Sequence, residues 1–267
     1  MGFYSKGGGF IGASYATDNR GVFDIVSHQL DVPSAASSID YVTDGLTHNL
    51  DAGDASSYGG SGTTWTDLAG NGNFTLSGSP THVSSSPGHF DFDGSNDYAY
   101  GPAFTVNSGA YSIEVWFRTT AGDGELLISS HNTTSSTPSG YTRMIWVGTD
   151  DELWFGQWES GQRTVNDTVT ITDGNWHQAV GVFDGDMYFY RDGNQVGSNT
   201  SANGTSDSGT KYWNIGGRRN SGWPSASSNY NHRIDADIAI VRIYWGKGLT
   251  SSEVTQNFNA VKGRFGL

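Results

Sequence analysis

Glu114 sits in Tyr111-Ser112-Ile113-Glu114-Val115-Trp116-Phe117-Arg118, whose alternation predicts a strand with Tyr111, Ile113, Val115 and Phe117 on one face and Glu114, Trp116 and Arg118 on the other. A retaining glycosidase needs two carboxyl groups about 5 Å apart, which on one strand face means acids at i and i+2. Position i+2 from Glu114 is Trp116, so the partner acid is missing. Asp150-Asp151-Glu152 falls in a predicted turn, where the side chains diverge. The seven histidines are scattered and no Gly-x-Ser-x-Gly elbow occurs. These residues predict a chain that is not an enzyme.

Aromatic side chains offer a different chemistry. Sugar rings expose apolar C–H faces, so a sugar site pairs an aromatic platform with amides and carboxylates. In Leu153-Trp154-Phe155-Gly156-Gln157-Trp158 the tryptophans Trp154 and Trp158 share one strand face with Gly156. With Leu153 and Phe155 toward a core, Trp154 and Trp158 would look outward, near Gln162 or Arg163. Trp223, Tyr230 and Asn231 lie in the long Arg218–His232 loop, a second place where aromatics are hard to bury. The competing reading is that these rings pack under loops or against another subunit.

The elements that position such groups are strands. His177 to Asp184 and Met187 to Arg191 are joined at Asp184-Gly185, and a second turn follows at Asp192-Gly193, which reads as an antiparallel meander. Leu46 to Ala52, Arg143 to Val147, Glu152 to Glu159 and Tyr212 to Gly217 add further strands. Ile234 to Trp245 is a nearly unbroken apolar run, expected at the centre of a sheet and buried on both faces. One helix is predicted. Thr250 is its N-cap, Glu253 at N3 completes a capping box, Leu249 and Val254 form a hydrophobic staple, and Gly263 is expected to end it. Residues 1–45 differ. Gly7-Gly8-Gly9, aromatics without a period and a Pro33–Ser38 linker suggest an arm that docks elsewhere or lies along the domain's flank.

Composition narrows the classes. A net charge of −13, from 14 basic and 27 acidic residues, argues against phosphate-backbone binding, so no nucleic-acid partner is expected. Cysteine is absent, which excludes disulfides and thiolate chemistry. No apolar run reaches the roughly 18 residues of a membrane span, and Met1 to Gly9 lacks the apolar region of a secretory signal. The Asn-x-Ser/Thr sequons at Asn73, Asn132, Asn166, Asn199 and Asn203 are therefore read as composition rather than glycosylation. Aromatics at 13% and 38 glycines suit a β-sandwich with a bulky core and many turns.

The segments Trp176-His177, Asp184-Gly185 and Asp192-Gly193, with the hairpin Phe92-Asp93-Gly94-Ser95-Asn96-Asp97-Tyr98, resemble the laminin-G-like branch of the concanavalin A-like jelly rolls. Asn49 to Asn73 and Glu253 to Leu267 resemble the entry and terminus of such domains in structural proteins of large phages, with Ala69 where Ser is usual. The resemblance covers residues 46–267. It implies an all-β, two-sheet antiparallel jelly-roll sandwich with a short C-terminal helix, preceded by a docking arm over 1–45. It also implies a non-enzymatic virion component, a capsid decoration or part of a tail. Such a component would be multicopy, would dock on other virion proteins and would contact host-surface glycans. The alternative is a free lectin or adhesin, and less so a glycoside hydrolase. His177 would be structural. Domains of this kind often hold Ca2+ with hard oxygen ligands, for which Asp93, Asn96, Asp97, Asp235 and Asp237 are the donors. The same residues are also turn formers that bond their own backbone.

Overall fold

The computed structural model describes residues 41–106, 109–134, 140, 142–202, 208–217, 222–227 and 233–267. The chain divides into two units, residues 1–38 and 39–267. Residues 1–40 of the arm expected over 1–45 lie outside the described residues.

Two antiparallel sheets face each other, each of eight strands. The first runs, edge to edge, through β14 (Asn194–Asn199), β13 (Asp186–Arg191), β12 (His177–Asp184), β7 (Tyr111–Arg118), β16 (Asp235–Trp245), β5 (His89–Asp93) and β4 (Thr81–Val83). β1 (Leu46–Asp51) pairs with the second half of β16, beyond the stretch that β5 occupies. The second sheet runs through β11 (Gln162–Asp167), β10 (Leu153–Trp158), β9 (Arg143–Val147), β8 (Glu125–His131), β15 (Thr210–Ile215), β6 (Tyr98–Thr105), β3 (Phe74–Ser77) and β2 (Thr64–Trp65).

The alternation in the sequence sets which side chains meet. Ile113, Val115 and Phe117 of β7 point between the sheets with Phe90 and Phe92 of β5, where they meet Ile145, Phe155 and Trp213 of the second sheet. β16 lies centrally and is buried on both faces, as its apolar run predicts. The meander forms with its expected turns. Asp192 and Gly193 both take positive φ, 50° and 76°, the pairing a two-residue hairpin turn requires.

The outer face of the first sheet is closed by α1 (Ser251–Val261). Both halves of the capping box form: Glu253 N donates to Thr250 Oγ1 at 3.3 Å, and Thr250 N donates to Glu253 Oε2 at 2.8 Å. Gly263 does not end the winding. Residues Lys262–Phe265 continue as a 3₁₀ turn, and Gly266 at φ 78° closes it. The extra turn brings Phe265 onto Trp116, with ring centroids 4.2 Å apart and nearly parallel, while Phe258 stacks nearby at 5.7 Å.

Beneath this helix, Glu114 is fully buried and accepts hydrogen bonds from every element around it. Trp116 Nε1, Gln178 Nε2 of β12 and Arg242 Nη1 of β16 each donate to Oε1 at 2.9 Å, and Asn257 Nδ2 of α1 donates to Oε2 at 2.8 Å. Asn257 Oδ1 also accepts from Val42 N at 2.8 Å, and Tyr244 Oη donates to Val42 O at 2.9 Å. The Arg242 guanidinium lies 4.3 Å over the Tyr41 ring. Tyr41 and Val42, grouped with the arm in the sequence reading, thus pack as part of the domain, because the Val42 backbone completes this polar cluster and the Tyr41 ring covers Arg242.

Removing Arg242 leaves a buried carboxylate short of its cation. Arg242→Met is expected to destabilise the domain by about 3–5 kcal/mol, read as a lower urea midpoint; a midpoint within error of the parent protein would contradict the clustering.

Candidate functional site

Residues on β9 and β10 alternate between core and outer face. Ile145, Val147, Leu153 and Phe155 turn inward, and Met144, Trp146, Trp154 and Trp158 turn outward. Trp146 and Trp154 are direct cross-strand partners, stacked at 5.7 Å with 18° between planes. Between Trp154 and Trp158 stands Gly156. A Cβ there would come within 2.7 Å of Trp223 Cζ3 and 2.9 Å of Trp146 Cζ3. Gly156 is therefore the seat into which the Trp223 ring is laid. From it Trp223 meets Trp146 edge-on at 5.9 Å and Trp158 edge-on at 6.4 Å.

The segment carrying Trp223 is fastened along its length. Gln162 Nε2 donates to Gly222 O at 2.6 Å, Trp146 Nε1 to Pro224 O at 3.1 Å, and Thr149 N to Ser225 O at 2.8 Å. The Ser225 hydroxyl donates to the Asp150 carboxylate, which also accepts from Trp154 Nε1 at 3.2 Å. Trp223 is consequently only 7% exposed, which corrects the expectation that the loop leaves it open. Trp158 remains 40% exposed, and Trp154 is half-buried. The structure thus brings Trp154, Trp158 and Trp223 onto one face. Tyr230 and Asn231 lie outside the described residues.

Across β10 lies the edge strand β11, where Gln162, Thr164 and Asn166 stand opposite Trp158, Gly156 and Trp154. Arg163 turns to the other side and pairs with Glu159 at 3.3 Å, so of the two polar neighbours expected near Trp158 only Gln162 belongs to this face. Thr164 was not named in the sequence reading and Asn166 only as a sequon, although the alternation Gln162, Thr164, Asn166 around the buried Val165 is the signal that exposes them.

The oxygen donors considered for Ca2+ occupy the opposite sheet. Asp93 faces Asp235, and Asp91 faces Asp237, across β5 and β16. Asp91, Asp235 and Asp237 line a shallow pocket of about 270 Å³ with Arg118, Thr119, Thr120 and Gly174. Asp237 is already committed. Arg118 donates to it through Nε at 2.8 Å and again through Nη2, and His89 Nε2 lies 3.3 Å away. Burial works to raise the Asp237 carboxyl, yet these two partners hold it below the usual range. Burial, joined by the charges of Asp237 and Asp235, raises Asp91.

Asp97 is buried, and desolvation raises its carboxyl against the opposing hydrogen bond from the Asp93 backbone. Asn96 Nδ2 reaches Gly78 O at 3.5 Å, and Asp93 Oδ1 accepts from Ser95 N at 2.9 Å within the turn. Among the described residues no three His, Cys, Asp or Glu side chains group to hold a metal. Of the set Asp93, Asn96, Asp97, Asp235 and Asp237, the turn engages Asp93 and the Arg118 ion pair engages Asp237. Asp91 and Asp237 emerge side by side from one sheet with Asp237 neutralised, and Glu114 has no access to solvent.

Residues 93–255, more than half of the chain, match the family model described as the concanavalin A-like lectin/glucanases superfamily. The chain belongs to this superfamily. No curated protein matches the sequence. Among solved structures, the binding domain of botulinum neurotoxin DC in complex with SialylT superposes with a TM-score of 0.57 and 16% identity, over 84% of this chain and 52% of that one. The binding domain of Paraclostridial mosquitocidal protein 1 gives 0.56 and 14%, over 81% and 52%. Trypanosoma rangeli sialidase in complex with 2,3-difluorosialic acid gives 0.58 and 15%, over 82% and 33%. The chain spans about half the length of the toxin domains and a third of the sialidase. At these identities the likeness is one of fold.

In this concanavalin A-like domain the Trp223 segment also covers Glu125, at the start of β8. Ser227 N donates to Gly124 O at 3.3 Å, and the Glu125 carboxyl beneath is 1% exposed. Burial and the charge of Asp123 push that carboxyl up to about 8, against the opposing pull of Ser227 and Arg233. Between its ordinary 4.5 and about 8, the folded chain keeps a proton that the unfolded chain has lost. Its contribution to stability is therefore full below about pH 4.5 and disappears as pH rises through about 8. Glu125→Gln, which cannot ionise, is expected to melt close to the parent at pH 4.5 and above it at pH 8.5. Parallel melting profiles across that range would contradict the buried acid.

Proposed function

We propose that the domain is a non-catalytic carbohydrate-binding module whose principal contact is the indole of Trp158. The observation that carries this reading is the pairing of exposure with rigidity. Trp158 is 40% exposed, and its edge is braced by Trp223, itself locked over Gly156. A rigid aromatic face that loses little side-chain entropy on binding suits the apolar C–H face of a sugar ring. Gln162, the cross-strand neighbour of Trp158, supplies an amide alongside. Support comes also from superfamily membership and from structural neighbours solved with SialylT or described as dependent on two ganglioside molecules. The carboxylates support a binding role without hydrolysis: Asp237 is engaged by Arg118 and His89, and Glu114 by the cluster under the helix.

On a glycan array the wild-type protein is expected to give defined signals. Trp158→Ala should lose them by at least about tenfold in affinity, and Trp158→Phe should retain part. A silent array, or unchanged signals for Trp158→Ala, would reject the module.

The setting we propose is a phage particle, with many copies displayed on the capsid or tail so that weak single sites gain avidity on a host surface. This rests on the resemblance of the Asn49–Asn73 and Glu253–Leu267 segments to phage structural proteins. The residues ahead of the domain would dock on other virion proteins. A chain lacking residues 2–38 should then fold and remain soluble yet fail to join the particle, as read by mass spectrometry of purified virions; incorporation at normal copy number would refute the docking arm.

A further inference from the structure

The outer row of β11 runs beside the tryptophan row of β10 for its whole length. Gln162, Thr164 and Asn166 are half-buried and stand opposite Trp158, Gly156 and Trp154. Four residue steps separate Gln162 from Asn166, about 14 Å at 3.4 Å per residue. That is beyond the reach of one pyranose ring and suits several linked ones.

The polar capacity of this row is only partly used. Gln162 spends a proton of Nε2 on Gly222 O, and Asn166 spends one of Nδ2 on Glu152 Oε2 at 2.7 Å. These bonds orient both amides and leave their carbonyl oxygens, with the Thr164 hydroxyl between them, as acceptors uncommitted among the described residues. The charges of the same strand are turned away. Arg163 pairs with Glu159, and Asp167 with Arg191, on the opposite face. The row therefore offers hydroxyl and amide chemistry without a formal charge between its ends.

We propose, resting on the glycan-binding reading above, that this face takes an extended, uncharged oligosaccharide laid along β10 and β11. Trp158 and Trp154 contact rings toward the two ends of that stretch, and Gln162, Thr164 and Asn166 accept hydrogen bonds from hydroxyls along it. The ligand class is then a stretch within a neutral polysaccharide rather than a single terminal or acidic sugar. Period-2 spacing of one side chain per two residues supplies the repeat.

Calorimetric titration with cello-, xylo-, manno- and laminari-oligosaccharides, from mono- to hexasaccharide, tests this. Within the series that binds, affinity is expected to climb about tenfold between di- and tetrasaccharide and then level off. Thr164→Val, which removes a hydroxyl from a strand position that tolerates a β-branched residue, should erase that gain while leaving the melting temperature unchanged. Asn166→Ala should erase the gain as well. Equal affinity for mono- and tetrasaccharide, preference for an acidic glycan on the array, or indifference to both substitutions would overturn the extended site while leaving Trp158 as a sugar contact. Failure of every neutral series together with a silent array would overturn the glycan-binding reading as well.

Discussion

One buried carboxylate organises the outer side of the first sheet. Glu114 has no solvent to satisfy it, so its charge obliges Trp116, Gln178, Arg242 and Asn257 to converge, and with them β7, β12, β16 and the C-terminal helix. A lone buried charge would be prohibitive, whereas one that accepts several hydrogen bonds and faces a guanidinium is tolerable and geometrically exacting. That exactness explains why the helix ends where Phe265 can lie on Trp116 and why Tyr41 and Val42 fold back onto the cluster.

The second sheet is organised by shape rather than charge. Gly156 leaves a depression in an otherwise aromatic face, Trp223 fills it, and a series of backbone bonds pins the segment that carries Trp223. The consequence is selective exposure. Trp146 and Trp223 become foundation, Trp154 lies half-covered, and Trp158 is left presented at the rim. The two sheets thus differ: the first carries a helix on its outer face, and the second leaves Trp158 exposed on its own.

Much of the fold was legible from the residues. The alternation in Tyr111–Arg118, the paired Asp-Gly turns of the meander and the apolar run of β16 each carry a local physical reason, and each formed as read. The capping box at Thr250 and Glu253 formed for the same reason, since its donors and acceptors lie within one turn. Less was legible at the sites. Asp93, Asn96, Asp97, Asp235 and Asp237 look alike as oxygen donors in a sequence, but Arg118 and His89 claim one of them and the Ser95 turn another. Trp223 looked exposed because its loop is polar, and nothing in that loop announces a glycine on another strand.

The sequence by itself determined the strand periodicity, the turns, the helix cap and the pairing of Trp154 with Trp158 on one face. All of these follow from interactions between residues close along the chain. Only the tertiary structure decided which tryptophan stays exposed and which carboxylates are free. Those outcomes depend on contacts between segments far apart in sequence, where burial and ion pairing are settled by whatever the fold sets alongside.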